Sequence, residues 1–221
     1  MSRARNILVP ILLLSLAFVA FPFARHAWEQ GIDGLGGNVS RENRFFDPDA
    51  WFSSAALFFH MLTGGLLTAA VPLQLLPVVR RRFPALHRAA GYVLTSAALF
   101  AALGGLSYIA VRGTIGGPLM SFAFSLYGLL TLTAALQTVR FARERAYARH
   151  RRWALRLFVL AMGSWLYRVH YGFWFAATGG LASNDDFTGL FDQVTLFAFY
   201  LPYLVILEAI LRRRDNTHVP V

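Results

Sequence analysis

The sequence contains no cysteine. A disulfide framework, a thiolate zinc site, an iron–sulfur cluster and covalently attached c-type haem are excluded with it. Acidic residues are scarce too, 11 Asp and Glu against 21 basic residues, and carboxylates do not accompany the histidines at spacings that would build a di-metal site. There is no His-Glu-x-x-His, no Ser-His-Asp order and no glycine-rich phosphate loop, so no enzymatic reaction is assigned and no catalytic residue is named. Long apolar runs, by contrast, are abundant. With 57% hydrophobic residues over 221 positions and a mean hydropathy of +0.50, the chain belongs to the membrane class.

The net charge of +10 does not point to nucleic acid, because the arginines cluster in short segments between apolar runs and form no basic groove with interleaved aromatics. Six transmembrane helices are expected, at about 7–24, 51–79, 91–111, 117–139, 154–178 and 190–211, each meeting the roughly 20 residues a bilayer core requires. Arg3 and Arg5 precede the first. Arg80, Arg81, Arg82 and Arg88 separate the second from the third, and a run from Arg140 to Arg152 separates the fourth from the fifth. Arg212, Arg213 and Arg214 follow the sixth. The acids Glu29, Asp33, Glu42, Asp47 and Asp49, and later Asp185 and Asp186, fall in the alternate loops. Positive charge stays inside, so both termini are expected in the cytoplasm. The expectation is therefore an all-α polytopic bundle, a single transmembrane domain over 1–221, with residues 25–50 forming its one sizeable extracytoplasmic loop. Phe45 to Phe52 reads as an interfacial segment in which Asp47 or Asp49 could cap a helix. A cleaved signal peptide is disfavoured by Pro10, Pro22 and the absence of a small-x-small site before Arg25. No repeat stands out, although two cytoplasmic loops each end in a His-Arg pair.

Ionisable groups inside a membrane span are costly and mark functional sites by default. His60 and His170 lie in spans two and five at about the same depth, roughly 12 Å from the outer edge at 1.5 Å per residue. His60 stands above Gly64 and Thr68 on one helix face, a surface without bulk that suits a flat macrocycle; the competing reading is close helix packing with His60 bonded across it. His170 shares a face with Arg149, Arg156 and Gly163 and is surrounded by Trp165, Tyr167, Tyr171, Trp174 and Phe175, so it is either a ligand or a member of an aromatic belt. Arg168, about 200° around the helix from His170, either snorkels, pairs with Asp192 or Asp186, or holds an anionic group such as a haem propionate. His87 and His150 form a second, inner pair, as lipid-facing members of basic loops or as a second haem or metal site. His26 and His218 are expected in solvent.

Two histidines at an outer and two at an inner level resemble the layout of two-haem membrane cytochromes of the b561 type, which hold haem between imidazoles and carry electrons across the bilayer. That family takes its ligands from four helices, whereas here span four has none and span five would supply two. The elements His60 with Gly64, Gln74, His87–Arg88 with Gly91–Tyr92, and His150–Arg151 with Trp153 and Arg156 resemble the bacterial membrane family catalogued as domain of unknown function 2306, over about Phe58 to Arg168. That resemblance implies a polytopic membrane protein with recurrent histidines and no settled activity. Haem b on His60 and His170, with His87 and His150 as a second pair and Arg156 and Arg168 as charge partners, is the expectation drawn from the residues. A small-molecule transporter and a non-catalytic accessory subunit within a larger membrane complex remain the alternatives. The bilayer is the expected partner in every case.

Overall fold

The computed structural model describes residues 3–39, 46–47 and 49–216, with side chains from Ile7 to Arg213 within those stretches; Glu42, Phe45, Pro48 and His218 lie outside the described residues. Among the described residues every regular element is an α-helix. The chain falls into two compact units, Met1–Arg112 and Gly113–Val221.

The first unit holds α1 (Arg3–Leu35), α2 (Trp51–Gln74), α3 (Pro77–Arg82) and α4 (Pro84–Arg112), with α2 packed on both α1 and α4. Helix α1 does not stop near Ala24 but continues through the glycine-bearing stretch expected to be loop, carrying an exposed Arg25–Glu29 pair one turn apart. Its glycines serve contact rather than flexibility. Gly31 lies against Leu62 and Gly34 against the Phe58 ring of α2, and a Cβ on Gly65 of α2 would stand 2.6 Å from the Ala24 carbonyl. Backbones brought this close gain dispersion contacts where lipid supplies no hydrophobic drive between helices. Helix α2 ends at Gln74 instead of running to Val79, since Pro77 lacks the N–H that would continue the ladder and opens α3 instead. Proline also opens α4 seven residues before the expected span. Asp47 caps no helix. It takes the Asp49 N–H in a local turn and lies 3.5 Å from Arg112.

The second unit holds α5 (Gly117–Arg143), α6 (Tyr147–Thr178), α7 (Leu190–Ala198) and α8 (Leu201–Asn216). The last expected span is broken at Phe199–Tyr200, one turn ahead of the clash that Pro202 would make with a continuing helix. Phe199 and Tyr200 are fully buried at the break and pack their rings around Tyr127 at centroid distances of 5.0 and 5.4 Å.

Among the described residues, five segments are long and apolar enough to cross a membrane: Ile7–Leu35, Trp51–Gln74, Pro84–Arg112, Gly117–Arg143 and Leu190–Arg213. Helix α6, the expected fifth crossing, is 32 residues long but is diluted by five arginines and falls outside that set. Inside these helices hydroxyls are satisfied locally: Thr63, Thr95, Thr131 and Thr138 each donate to the carbonyl one turn back, at 2.7 to 2.9 Å.

Candidate functional site

His60 projects from α2 onto the glycine pair of α4. A Cβ on Gly104 would lie 3.2 Å from His60 Cβ, and one on Gly105 would lie 3.1 Å from His60 Nδ1. The ring reaches through this gap to place Nδ1 2.6 Å from the Ala101 carbonyl oxygen. A carbonyl carries no proton, so Nδ1 must donate, and the neutral ring then keeps its lone pair on Nε2. The small residue predicted to clear space, Gly64, has nothing within 4 Å of its would-be Cβ, whereas Thr68 is buried.

His150 repeats this arrangement in the second unit. It occupies the first turn of α6 and donates from Nδ1 to the Thr138 carbonyl of α5 at 2.9 Å. His87 holds the matching place in the first turn of α4, half-buried, with its backbone N–H on the Phe83 carbonyl. His87 and His150 are therefore helical residues, not loop residues.

His170 is bonded through Nε2 to the Tyr203 hydroxyl of α8 at 2.9 Å, the two rings nearly parallel at 24°. It also borders an open cleft of about 820 Å³, lined, Thr195 apart, by apolar side chains including Phe173, Trp174, Leu190 and Phe191. His150 and His170 share α6 but stand twenty residues apart, so they occupy levels separated by roughly 30 Å of helix.

The arginines have definite partners. Arg156 meets Glu208 of α8 in a fork, Nε to Oε1 at 2.5 Å and Nη2 to Oε2 at 3.0 Å, and lies over the Trp153 ring at 4.4 Å. Arg168 turns back on its own helix to the carbonyl and hydroxyl of Ser164 at 2.9 and 3.2 Å. The expected Arg168–Asp192 pair is not formed. Asp192 is fully buried and accepts from the Tyr171 and Ser183 hydroxyls at 2.7 Å and from the Asn184 and Gly189 backbone N–H groups at 3.1 and 3.0 Å, with Tyr167 donating to Tyr171 behind it. Four donors leave this carboxylate no need of a cation. Sequence reasoning missed this cluster because Ser183, Asn184 and Gly189 acquire their meaning only when the loop folds back over α7.

Two further residues stand out that periodicity had not marked as a pair. Gln74 and Gln137 each bury a side-chain carbonyl oxygen with no hydrogen-bond donor. Among the described residues, no group of three or more His, Asp or Glu is gathered as a metal site.

The fold and the apolar helices define a helical membrane protein. The chain belongs to the family described as Predicted membrane protein (DUF2306), whose profile matches residues 57–210 and so spans all four of these histidines and the Arg156–Glu208 pair. No curated protein and no solved structure matches it.

Proposed function

We propose that this membrane protein binds b-type haem through imidazoles drawn from His60, His170, His87 and His150, and serves as a one-electron carrier in a bacterial cytoplasmic membrane. The observation behind this reading is the anchoring of His60 and His150, whose Nδ1–H groups are each committed to a main-chain carbonyl of the adjacent helix. That contact fixes tautomer and ring orientation, the outer-shell arrangement a ligating histidine requires. Haem bound there would supply a one-electron couple within the bilayer. The protein's own residues fix the imidazoles, present helix surface free of bulk at Gly64, and keep the Arg156 charge neutralised by Glu208. Six crossings with both termini in the cytoplasm complete the proposal, with α6 crossing by virtue of its length and its arginines collected mostly at the inner end. The test is a reduced-minus-oxidised spectrum of the purified protein from haem-replete cells. Sharp b-type bands are expected, and a colourless preparation overturns the reading.

A second reading, as an accessory subunit, draws on His60 itself. Its ring fills the space above Gly104 and Gly105 and joins α2 to α4. Recovery of an intact larger complex under gentle solubilisation, unchanged on His60→Asn substitution, would favour it.

A further inference from the structure

His170 and Thr195 are the two polar residues in the wall of the cleft of about 820 Å³, whose lining comes from α6, α7 and the loop between them, all within the second unit. That volume falls in the range of small-molecule sites, which combine a largely apolar lining with a few polar groups. The surrounding structure is tied together. Asp192 of α7 accepts from Tyr171 of α6 and from Ser183, Asn184 and Gly189 of the loop, which holds the two helices and the loop to one another beside the cleft. Trp174 and Phe191 stack at 4.6 Å and 5°, and the Trp174 Nε1–H donates to the Leu181 carbonyl at 2.6 Å, so three of the lining residues are fixed against each other.

Both polar residues have hydrogen-bonding capacity to spare. Thr63, Thr95, Thr131, Thr133, Thr138 and Thr178 each donate to the carbonyl one turn back. Thr195 does not. It is only 2% exposed, yet its hydroxyl makes no hydrogen bond among the described residues. His170 spends Nε2 on Tyr203, and its Nδ1 has no partner among the described residues. Thr195 belongs to the apolar segment Leu190–Arg213, and a buried hydroxyl left unpaired at such a place calls for an explanation. The His170 ring can serve either polarity. When the Tyr203 O–H donates to Nε2, the ring proton sits on Nδ1, which then donates; when Nε2–H donates to the Tyr203 oxygen, Nδ1 accepts. The Thr195 hydroxyl likewise donates or accepts.

No Arg, Lys, Asp or Glu lines the cleft, so it has no counter-charge for a phosphate, a carboxylate or an ammonium head group. Its lining includes the exposed apolar side chains Phe173, Leu181, Leu190 and Val194, a surface suited to a guest arriving from lipid. We propose that the cleft binds an isoprenoid quinone, with His170 and Thr195 bonding the two oxygens on its ring and the apolar wall holding the start of its tail. The polar groups match those oxygens in number and in kind. As donors they meet the carbonyls of the oxidised form, and as acceptors they meet the hydroxyls of the reduced form. A cleft of about 820 Å³ exceeds what one ring fills, which leaves room for part of the chain. This assignment removes His170 from the imidazoles open to haem iron and stands independently of haem binding.

The experiment reconstitutes the full-length protein in nanodiscs of quinone-free lipid and measures binding of a decyl-substituted benzoquinone beside decylbenzene, which has the same tail and no oxygens. Thr195→Val keeps the side-chain volume and removes the hydroxyl; His170→Phe removes both ring nitrogens. Saturable quinone binding, about ten-fold weaker in each variant as the loss of one hydrogen bond implies, and no saturable binding of decylbenzene are expected. Absence of quinone binding, equal binding of the two probes, or variants that bind the quinone as tightly as the native chain overturns the proposal. Should His170→Phe fail to fold by size exclusion, the Thr195→Val comparison decides alone. Haem is read on the same samples. If His170→Phe loses haem bands and retains quinone affinity, His170 is an iron ligand and this assignment falls. A haem-free native protein that binds the quinone, with affinity lost in the variants, removes the haem reading and supports this one.

Discussion

Arg156 and Glu208 close a two-pronged ion pair between α6 and α8, with the guanidinium stacked on Trp153. Both side chains are largely withdrawn from solvent, 18% and 32% exposed. Planar, bidentate geometry of this sort is where arginine differs most from lysine. Glu208→Ala should therefore lower stability by about 1–3 kcal/mol, the range for hydrogen bonds to charged groups and their abandoned partners. Arg156→Lys should recover only part of that, having no fork. Thermal denaturation in a fixed detergent reads both.

Asp192 presents a sharper case. Its four donors include two backbone N–H groups, of Asn184 and Gly189, that lose this acceptor once the carboxylate is gone. Asp192→Ala should cost about 3 kcal/mol or more, as other removals of a buried network hub do. Asp192→Asn keeps one acceptor oxygen but turns an N–H₂ toward donors, and should fall between alanine and the native chain. The same thermal measurement, alongside proteolysis of the 179–189 loop, checks the order.

Glycines that look alike in sequence are predicted to differ in tolerance. Gly104→Ala would set a methyl 2.5 Å from the Ala56 carbonyl and against His60 Cβ, forcing α2 from α4 and breaking the His60–Ala101 contact. Its neighbour in the His60 motif, Gly64, faces open space, so Gly64→Ala should be neutral or slightly stabilising through better helix propensity. Size-exclusion profiles of the two variants should diverge clearly.

The absence of cysteine makes topology directly measurable. In the six-crossing arrangement, Arg145→Cys and Asp186→Cys lie on opposite faces, and both positions are exposed. A membrane-impermeant thiol reagent applied to intact cells should label Asp186→Cys alone. Labelling of both from one side would remove α6 from the crossings.

Much of the helical plan was readable from apolar run length and the segregation of arginine, because both follow directly from the cost of moving polar groups into lipid. Boundaries were less so. Gly31 and Gly34 look like loop residues until α2 is laid against them, when they become contact points of a continuing helix. Pro202 was present in the last span, yet nothing local showed that the chain would break rather than kink there. Of the candidate site, the histidines were visible as anomalies in apolar surroundings, but their bonds to Ala101, Thr138 and Tyr203 depend on neighbouring helices and have no signature along the chain. The Arg168–Asp192 pairing failed for a related reason. A loop folded over α7 supplies Asp192 with donors from Ser183, Asn184 and Gly189.

Threonines 63, 95, 131 and 138 have one more implication. Each hydroxyl is turned inward on its own helix, so toward its neighbours the side chain presents methyl, much as valine would. Counting such residues as polar overstates how hydrophilic the interior of these hairpins is. A proton wire through them would find no hydroxyl ladder at those four rungs, and an incoming solute would meet a surface closer to hydrocarbon than the residue names suggest.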